Sequence, residues 1–257
     1  MGATDSKEEP MRDFAWIKTS YIAHRGYHSA DFAVPENTMK AFDLAIQKGF
    51  AIEFDVNLMK DGTLVVFHDG NLERMTGKPG KLIDLDYTDV RKLRIHDTQE
   101  TIPTLKQVLD FVAGRVPLLI ELKNHGENDK MCQNFMAIMD QYHGIWAVQS
   151  FHPFTVGWFK KHRPDVIRGQ IAEYFLQDED LKPSTKWLLK RMAFNLLNKP
   201  DFINYGLKYL PNAYVDRVKR RKICVIAYCA RTRKELDYCR TYIDNAVFEF
   251  FDPTLTD

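Results

Sequence analysis

The sequence is short of several features that would narrow its class at once. No uninterrupted apolar run approaches the ~18 residues that a membrane-spanning helix needs. The stretch from Met1 to Asp13 is charged and lacks the apolar centre of a secretory signal. Met1-Gly2-Ala3-Thr4-Asp5-Ser6 does match the loose N-myristoylation pattern, which is short enough to arise by chance. Cysteine is scarce: Cys132, Cys224, Cys229 and Cys239 are the four, with neither a C-x-x-C pair nor a disulfide framework. They read as ordinary thiols of a reducing compartment. Excess charge is missing as well. Thirty-six basic and 35 acidic residues leave a formal +1, which gives no reason to expect a nucleic-acid partner. No internal repeat recurs at a fixed period. The expectation is a soluble cytoplasmic protein for which membrane contact is not expected.

Apolar residues are not scarce. They make up 45% of the 257 residues, with 17 Phe and 11 Tyr, ample for a buried core. Apolar β-type runs alternate with helical spacing almost from end to end. Strands are expected at 21–23, 51–56, 117–123, 147–151, 166–171, 202–205, 223–228 and 246–250. Thr38 is placed to cap a helix carrying Met39, Phe42, Leu44, Ala45 and Ile46. Thr104 precedes a helix with Leu105, Val108, Leu109 and Val112. Eight βα units argue for a closed (β/α)8 barrel spanning residues 1–257 as a single domain. A polar stretch of roughly residues 69–101, broken by Gly77, Pro79 and Gly80, reads as a small insertion after the second strand.

The chemistry starts at Glu53-Phe54-Asp55-Val56 and its return through Lys60-Asp61-Gly62 to Val66-Phe67-His68-Asp69, a hairpin pattern. Two residues apart on a strand, Glu53 and Asp55 point to the same side. Two anions on one face repel unless a cation or a shared proton compensates. The bland alternative is a solvated strand edge with a surface histidine. In a barrel, active sites gather where the strands end. His24 and Arg25 close the first strand, Glu53 and Asp55 the second, Glu121 and Lys123 the third. Glu53, Asp55 and Glu121 would make an all-oxygen site for one hard divalent cation, Mg²⁺ or Ca²⁺. Arg25 can grip a phosphate oxygen pair, and Lys123 adds positive charge, although a lone strand-end lysine more often reaches solvent. His24 and His68 can serve as acid and base, which with a cation meets the needs of phosphodiester cleavage. His28, His125 and His152 fall in loops after strands, whereas His96, His143 and His162 read as surface or helix-end residues. Trp187 to Leu197 is amphipathic with basic residues inside it, and is expected to pack on its own barrel rather than touch lipid.

The ordered set His24-Arg25-Gly26, Pro35-Glu36-Asn37-Thr38, Glu53-Phe54-Asp55-Val56, Lys60-Asp61-Gly62, Val66-Phe67-His68-Asp69, Glu121-Leu122-Lys123 and Ser150-Phe151 resembles the glycerophosphodiester phosphodiesterase family of phospholipase-C-like barrels. The likeness is densest from Tyr21 to Lys123. It implies metal-dependent hydrolysis of a small-molecule glycerophosphodiester to glycerol 3-phosphate and an alcohol. It further implies His24 and His68 as the catalytic pair, Glu53, Asp55 and Glu121 as metal ligands, and Arg25 and Lys123 on the phosphate. Glu36 and Asn37 would orient these groups, and the insertion would shape the glycerol side of the pocket. Two departures stand out: Tyr228 in place of a tryptophan before Thr-Val, and Glu249-Phe250-Phe251-Asp252-Pro253 where a Thr-Asp ending is usual. Neither is expected to touch the metal ligands or the histidines, so they bear on substrate preference rather than chemistry. A lysophospholipase D, favoured by the segment from Trp187 to Leu197, is the alternative reading, and a non-catalytic headgroup-binding module is a weaker one. The released alcohol, the native ion, the order of the two histidines, a cyclic-phosphate route against direct water attack, and the oligomeric state stay open at this level.

Overall fold

A computed structural model describes residues 14–177, 179 and 181–255; the myristoylation-like start lies outside them. Among the described residues, nine strands form one sheet: β1 (Ile22–Ala23), β2 (Ala51–Leu58), β3 (Leu64–Val66), β4 (Leu118–Lys123), β5 (Trp146–Ser150), β6 (Arg168–Ala172), β7 (Phe202–Gly206), β8 (Cys224–Ala230) and β9 (Asn245–Phe248). Their order is β1-β9-β8-β7-β6-β5-β4-β2-β3, and β1 also pairs with β2, so the sheet closes on itself. Eight strands run parallel around the barrel, while β3 returns antiparallel along the end of β2. This is the (β/α)8 barrel expected from the alternation, with the hairpin return as an extension of the second strand.

Period-2 alternation sorts each strand into two faces. All eight residues of β2 are buried. Ile52, Phe54, Val56 and Leu58 pack outward with α2 (Met39–Gln47), α5 (Leu105–Val112) and α6 (Asn128–Met139). Ala51 faces inward to an apolar plug with Leu119, Ala147, Phe202, Cys224, Ile226 and Val247. The plug also takes Ile17 from α1 (Ala15–Thr19), which closes the N-terminal end of the barrel. Two positions beyond Ala51, Leu119, Ala147 and Phe202 stand the polar residues Glu53, Glu121, Gln149 and Asn204. The same alternation that fills the bottom of the barrel therefore delivers Glu53, Asp55 and Glu121 to its upper end.

The caps read from sequence are present. Thr38 accepts from the Ala41 N–H, and Thr104 forms a reciprocal capping box with Gln107. The insertion contains α3 (Glu73–Thr76), a 3₁₀ turn (Leu82–Asp84) and α4 (Tyr87–Val90). Its Leu72, Met75, Leu82, Val90 and Ile95, with Ile102 just after it, bury around Met59, Val65 and Phe67 of the hairpin. A small core of its own was not legible there, because no helix is long enough to show a period. The remaining helices are α7 (Pro153–His162), α8 (Pro183–Lys190), α9 (Asn195–Asn198), α10 (Ala213–Arg220) and α11 (Arg233–Tyr242).

One expectation is corrected here. The stretch from Trp187 to Leu197 breaks into α8 and α9, and α8 has no buried residue. Met192 is buried and Leu188, Leu189 and Phe194 are half-buried, while Trp187, Leu196 and Leu197 are 48%, 68% and 67% exposed. Among the described residues, no helix is long and apolar enough to cross a membrane.

Candidate active site

Glu53, Asp55 and Glu121 are all buried, and they bring carboxylate oxygens within 4.8 Å of one another. β2 continues past Asp55 to Leu58 and β4 past Glu121 to Lys123, so all three project from within strands rather than from their ends. Register explains the meeting: Asp55 lies directly opposite Glu121 in the parallel β2–β4 ladder. Glu53 accepts from the Arg25 backbone N–H (3.1 Å) and from Gln149 Nε2 (3.3 Å). Gln149 in turn accepts from Asn204 Nδ2 at 3.0 Å, a relay across the barrel. Asp55 Oδ2 accepts from Asn37 Nδ2 at 2.9 Å. Lys123 Nζ lies 2.6 Å from Glu121 Oε1 and 3.0 Å from Asp55 Oδ1. Arg25 Nε lies 3.3 Å from Asp55 Oδ2.

Three acids face two cations, and the pKa shifts follow from that shortage. Burial, then the neighbouring Asp55 and Glu121 carboxylates, push the Glu53 carboxyl well above its usual range. Burial also raises Glu121, against the pull of Lys123. Burial works against the Asp55 anion too, but the charges of Lys123, His68 and Arg25 outweigh it and hold that carboxyl well below its usual range. Asp55 Oδ1 is a buried oxygen that accepts no hydrogen bond and meets only the lysine charge. An all-oxygen set with one uncompensated acid and one orphaned oxygen suits a hard divalent cation. These three residues fit the ion.

Both histidines expected at the site line one cavity of about 230 Å³ with Arg25, Glu53, Glu121 and Lys123. Each carries a carboxylate on Nδ1. His24 Nδ1 lies 2.5 Å from Glu249 Oε2, and His68 Nδ1 lies 2.6 Å from Asp69 Oδ1. Such a partner fixes the ring and leaves Nε2 as the free nitrogen. Burial, then the charge of Arg25, lowers the His24 pKa to about 4, so the ring is neutral and donates Nδ1–H to an ionised Glu249. Glu249 is held far below the usual carboxylate range because, against its burial, His24 hydrogen-bonds to it and Arg231 Nε donates to its Oε1 at 2.7 Å. His28 Nε2 stands 3.7 Å from the same oxygen. Asp69 also accepts from Arg74 Nε at 2.6 Å, and Arg74 Nη2 donates to Glu36 Oε1 at 2.7 Å. Glu36 accepts from Arg25 Nη1 at 2.8 Å, closing a chain from His68 to Arg25.

Two departures from expectation follow. Glu249 does touch a histidine, contrary to the reading that placed the Glu249-Phe250-Phe251 ending clear of the chemistry. Its partner is 225 residues away in sequence, and only barrel closure brings them together. Gln149, Asn204 and Arg74 were missed as well, since nothing local marks a strand glutamine or asparagine, or an arginine on a four-residue helix, as part of a site. Of the lower-weighted histidines, His28 sits behind His24, His152 lies 3.4 Å from Asn124 Nδ2, and His96 stacks on Phe32 rather than standing free.

Comparison with known proteins bears on what this cavity serves. The glycerophosphoryl diester phosphodiesterase family model matches residues 24–249, from the first histidine to the carboxylate that holds it. The chain belongs to that family. Glycerophosphodiester phosphodiesterase 1 of Bos taurus is 34% identical over 260 residues, covering 89% of this chain and 77% of its own. A glycerophosphodiester phosphodiesterase of Caldanaerobacter subterraneus is 39% identical over 170 residues, 61% of this chain and 68% of its own. A phosphodiesterase of Oleispira antarctica, solved with its product sn-glycerol-3-phosphate, superposes with a TM-score of 0.75 at 25% identity, over 90% of this chain and 92% of that one. Family membership makes this protein an enzyme of the phosphodiesterase class.

Proposed function

We propose that the protein hydrolyses glycerophosphodiesters to glycerol 3-phosphate and an alcohol, with one divalent cation, Mg²⁺ or Ca²⁺, and with His24 and His68 as its acid–base pair. The observation that carries this reading is that both imidazoles, each tied at Nδ1 to a carboxylate, line one cavity with Glu53 and Glu121, whose carboxylates cluster with that of Asp55. Glu53, Asp55 and Glu121 would hold the ion, which supplies Lewis-acid neutralisation of phosphate charge when bound. Arg25 and Lys123 add positive charge at the phosphate oxygens. One imidazole takes the proton of the attacking hydroxyl, either water or the substrate's own glycerol oxygen; in the second case the first product is a cyclic phosphate, which water then opens to glycerol 3-phosphate. The bond from phosphorus to the departing alcohol breaks, and the other imidazole gives that oxygen its proton. Asn37 and Glu36 hold Asp55 and Arg25 in place. His24→Ala and His68→Ala should each lower turnover of glycerophosphocholine by at least about 10²-fold with an unchanged far-UV spectrum. Near-full activity in either variant would remove that histidine from the reaction.

A second substrate class is favoured by the exposed rim. Trp187, Leu196 and Leu197 stand in solvent beside Lys186, Lys190 and Arg191, the composition of a surface that meets lipid. Lysophospholipids would then be cleaved as by a phospholipase D. Lysophosphatidylcholine turned over faster with anionic vesicles than without, against glycerophosphocholine indifferent to them, supports it; the reverse removes it.

A further inference from the structure

The cavity has a second wall that neither the ion nor the proton transfers use. Phe151 follows β5, Glu173 follows β6, and Tyr228 lies on β8; all three line the reaction cavity. The Phe151 and Tyr228 rings meet edge to face, centroids 5.7 Å apart. The Tyr228 hydroxyl donates to Glu173 Oε2 at 3.1 Å, which fixes the carboxylate against the aromatic wall. Glu173 is 17% exposed, so it is sheltered yet open to a ligand. Gly206 makes room for it: a Cβ there would stand 3.2 Å from Glu173 Cβ and 3.1 Å from the Tyr209 ring. Past Glu173 and Tyr228 the space continues as a groove of about 380 Å³, bordered by Leu207, Lys208 and Arg231.

A sheltered carboxylate with aromatic rings on its flank gives a positive group both charge attraction and a cation–π contact, whereas a neutral hydroxyl gains only a hydrogen bond. Glu173 is paired with Lys208, whose Nζ stands 3.9 Å from Glu173 Oε2 on a side chain 55% exposed. That ammonium also lies 4.8 Å from the centre of the Tyr209 ring, drawn toward the outer edge of the groove. Lys208 thus meets Glu173 loosely, from the solvent side. We propose that Glu173, Phe151 and Tyr228 form a subsite for a cationic headgroup, an amine or quaternary ammonium, on the substrate phosphodiester, and that Lys208 competes with that headgroup for Glu173. The inference rests on the phosphodiesterase reading above and names the substrate class of the same site.

The test compares kcat/KM for glycerophosphocholine and for uncharged glycerophosphoglycerol in the wild type, Glu173→Gln and Lys208→Ala. Glu173→Gln should lower the choline-to-glycerol ratio about tenfold, chiefly through KM, with glycerophosphoglycerol within about twofold of wild type. Lys208→Ala should raise the same ratio about two- to threefold. Opposite movements from two variants are not what a merely structural role produces. Equal losses on both substrates in Glu173→Gln, or a ratio that stays put in both variants, would overturn the subsite. Should the wild type turn over neither substrate, the reaction assigned above fails. Calorimetric binding of the same two compounds then decides the subsite, with an unchanged binding ratio in Glu173→Gln overturning it.

Discussion

Glu53→Gln separates what the buried acid does for a cation from what it does for the fold. Without an ion, the Glu53 carboxyl sits well above its usual range because it is buried beside Asp55 and Glu121. A carboxyl whose folded pKa exceeds its unfolded value keeps a proton that the unfolded chain has released. Stability is therefore lost as pH rises above the unfolded value of ~4.5 toward the folded one. Glutamine is the neutral isostere of the protonated acid. It can still accept one of the two hydrogen bonds now made by the Arg25 backbone and Gln149, and the lost one costs about 1 kcal/mol. Ion-free variant and wild type should thus lie within about 1 kcal/mol of each other near pH 5, with the balance moving toward the variant at higher pH. Adding Mg²⁺ or Ca²⁺ reverses the comparison. An ion at a hundred times its Kd stabilises the wild type by about 2.7 kcal/mol. For a chain of this length that is a rise in Tm of roughly 5–10 °C. Glu53→Gln, with one of three ligands gone, should gain under ~2 °C at the same concentration. Thermal melts after EDTA treatment, repeated across an ion titration at two pH values, measure both effects. An equal ion-induced rise in the two proteins, or no rise in the wild type, would refute the three-carboxylate site.

Two further outcomes follow from single contacts. Glu249→Gln keeps the shape beside His24 but removes the charge that steadies its imidazolium, so kcat should fall about 10- to 100-fold with KM nearly unchanged; unaltered kcat would detach Glu249 from the proton transfers. Gly26 has φ +81°, and an added Cβ would stand 2.9 Å from Ala41 Cβ and from a Phe42 ring carbon, so Gly26→Ala should lose about 2–4 kcal/mol in urea unfolding, and wild-type stability would contradict the crowding.

Much of the barrel was legible because each strand carries its own signal. Ala51 to Val56 and Pro117 to Lys123 announce themselves by apolar runs, and alternation alone says that Glu53, Asp55 and Glu121 share the inner face. The rim did not yield so readily. From sequence, Trp187 to Leu197 looks like one amphipathic helix, and an amphipathic helix ordinarily has a surface to cover. The chain turns at Met192, whose φ of +54° breaks the run, and Trp187, Leu196 and Leu197 are left facing out while Leu188 and Leu189 are only half-buried. Periodicity reports that a stripe exists; it does not report what lies opposite.

The two histidines show the same limit from within the site. His68 finds its carboxylate one residue on, in Asp69, and the pair can be read as a tetrapeptide. His24 finds its own in Glu249, across the seam where the barrel closes. Yet that seam is itself predictable. If the first and last strands are parallel neighbours, the residue after one must lie near the residue after the other. Here Ala23 pairs with Phe248, and the His24 N–H donates to the Phe248 carbonyl at 2.9 Å. The next residues in line are His24 and Glu249. A closed topology therefore turns the chain's last strand into evidence about its first, and an acid just past that strand belongs among the candidates for any histidine that follows β1.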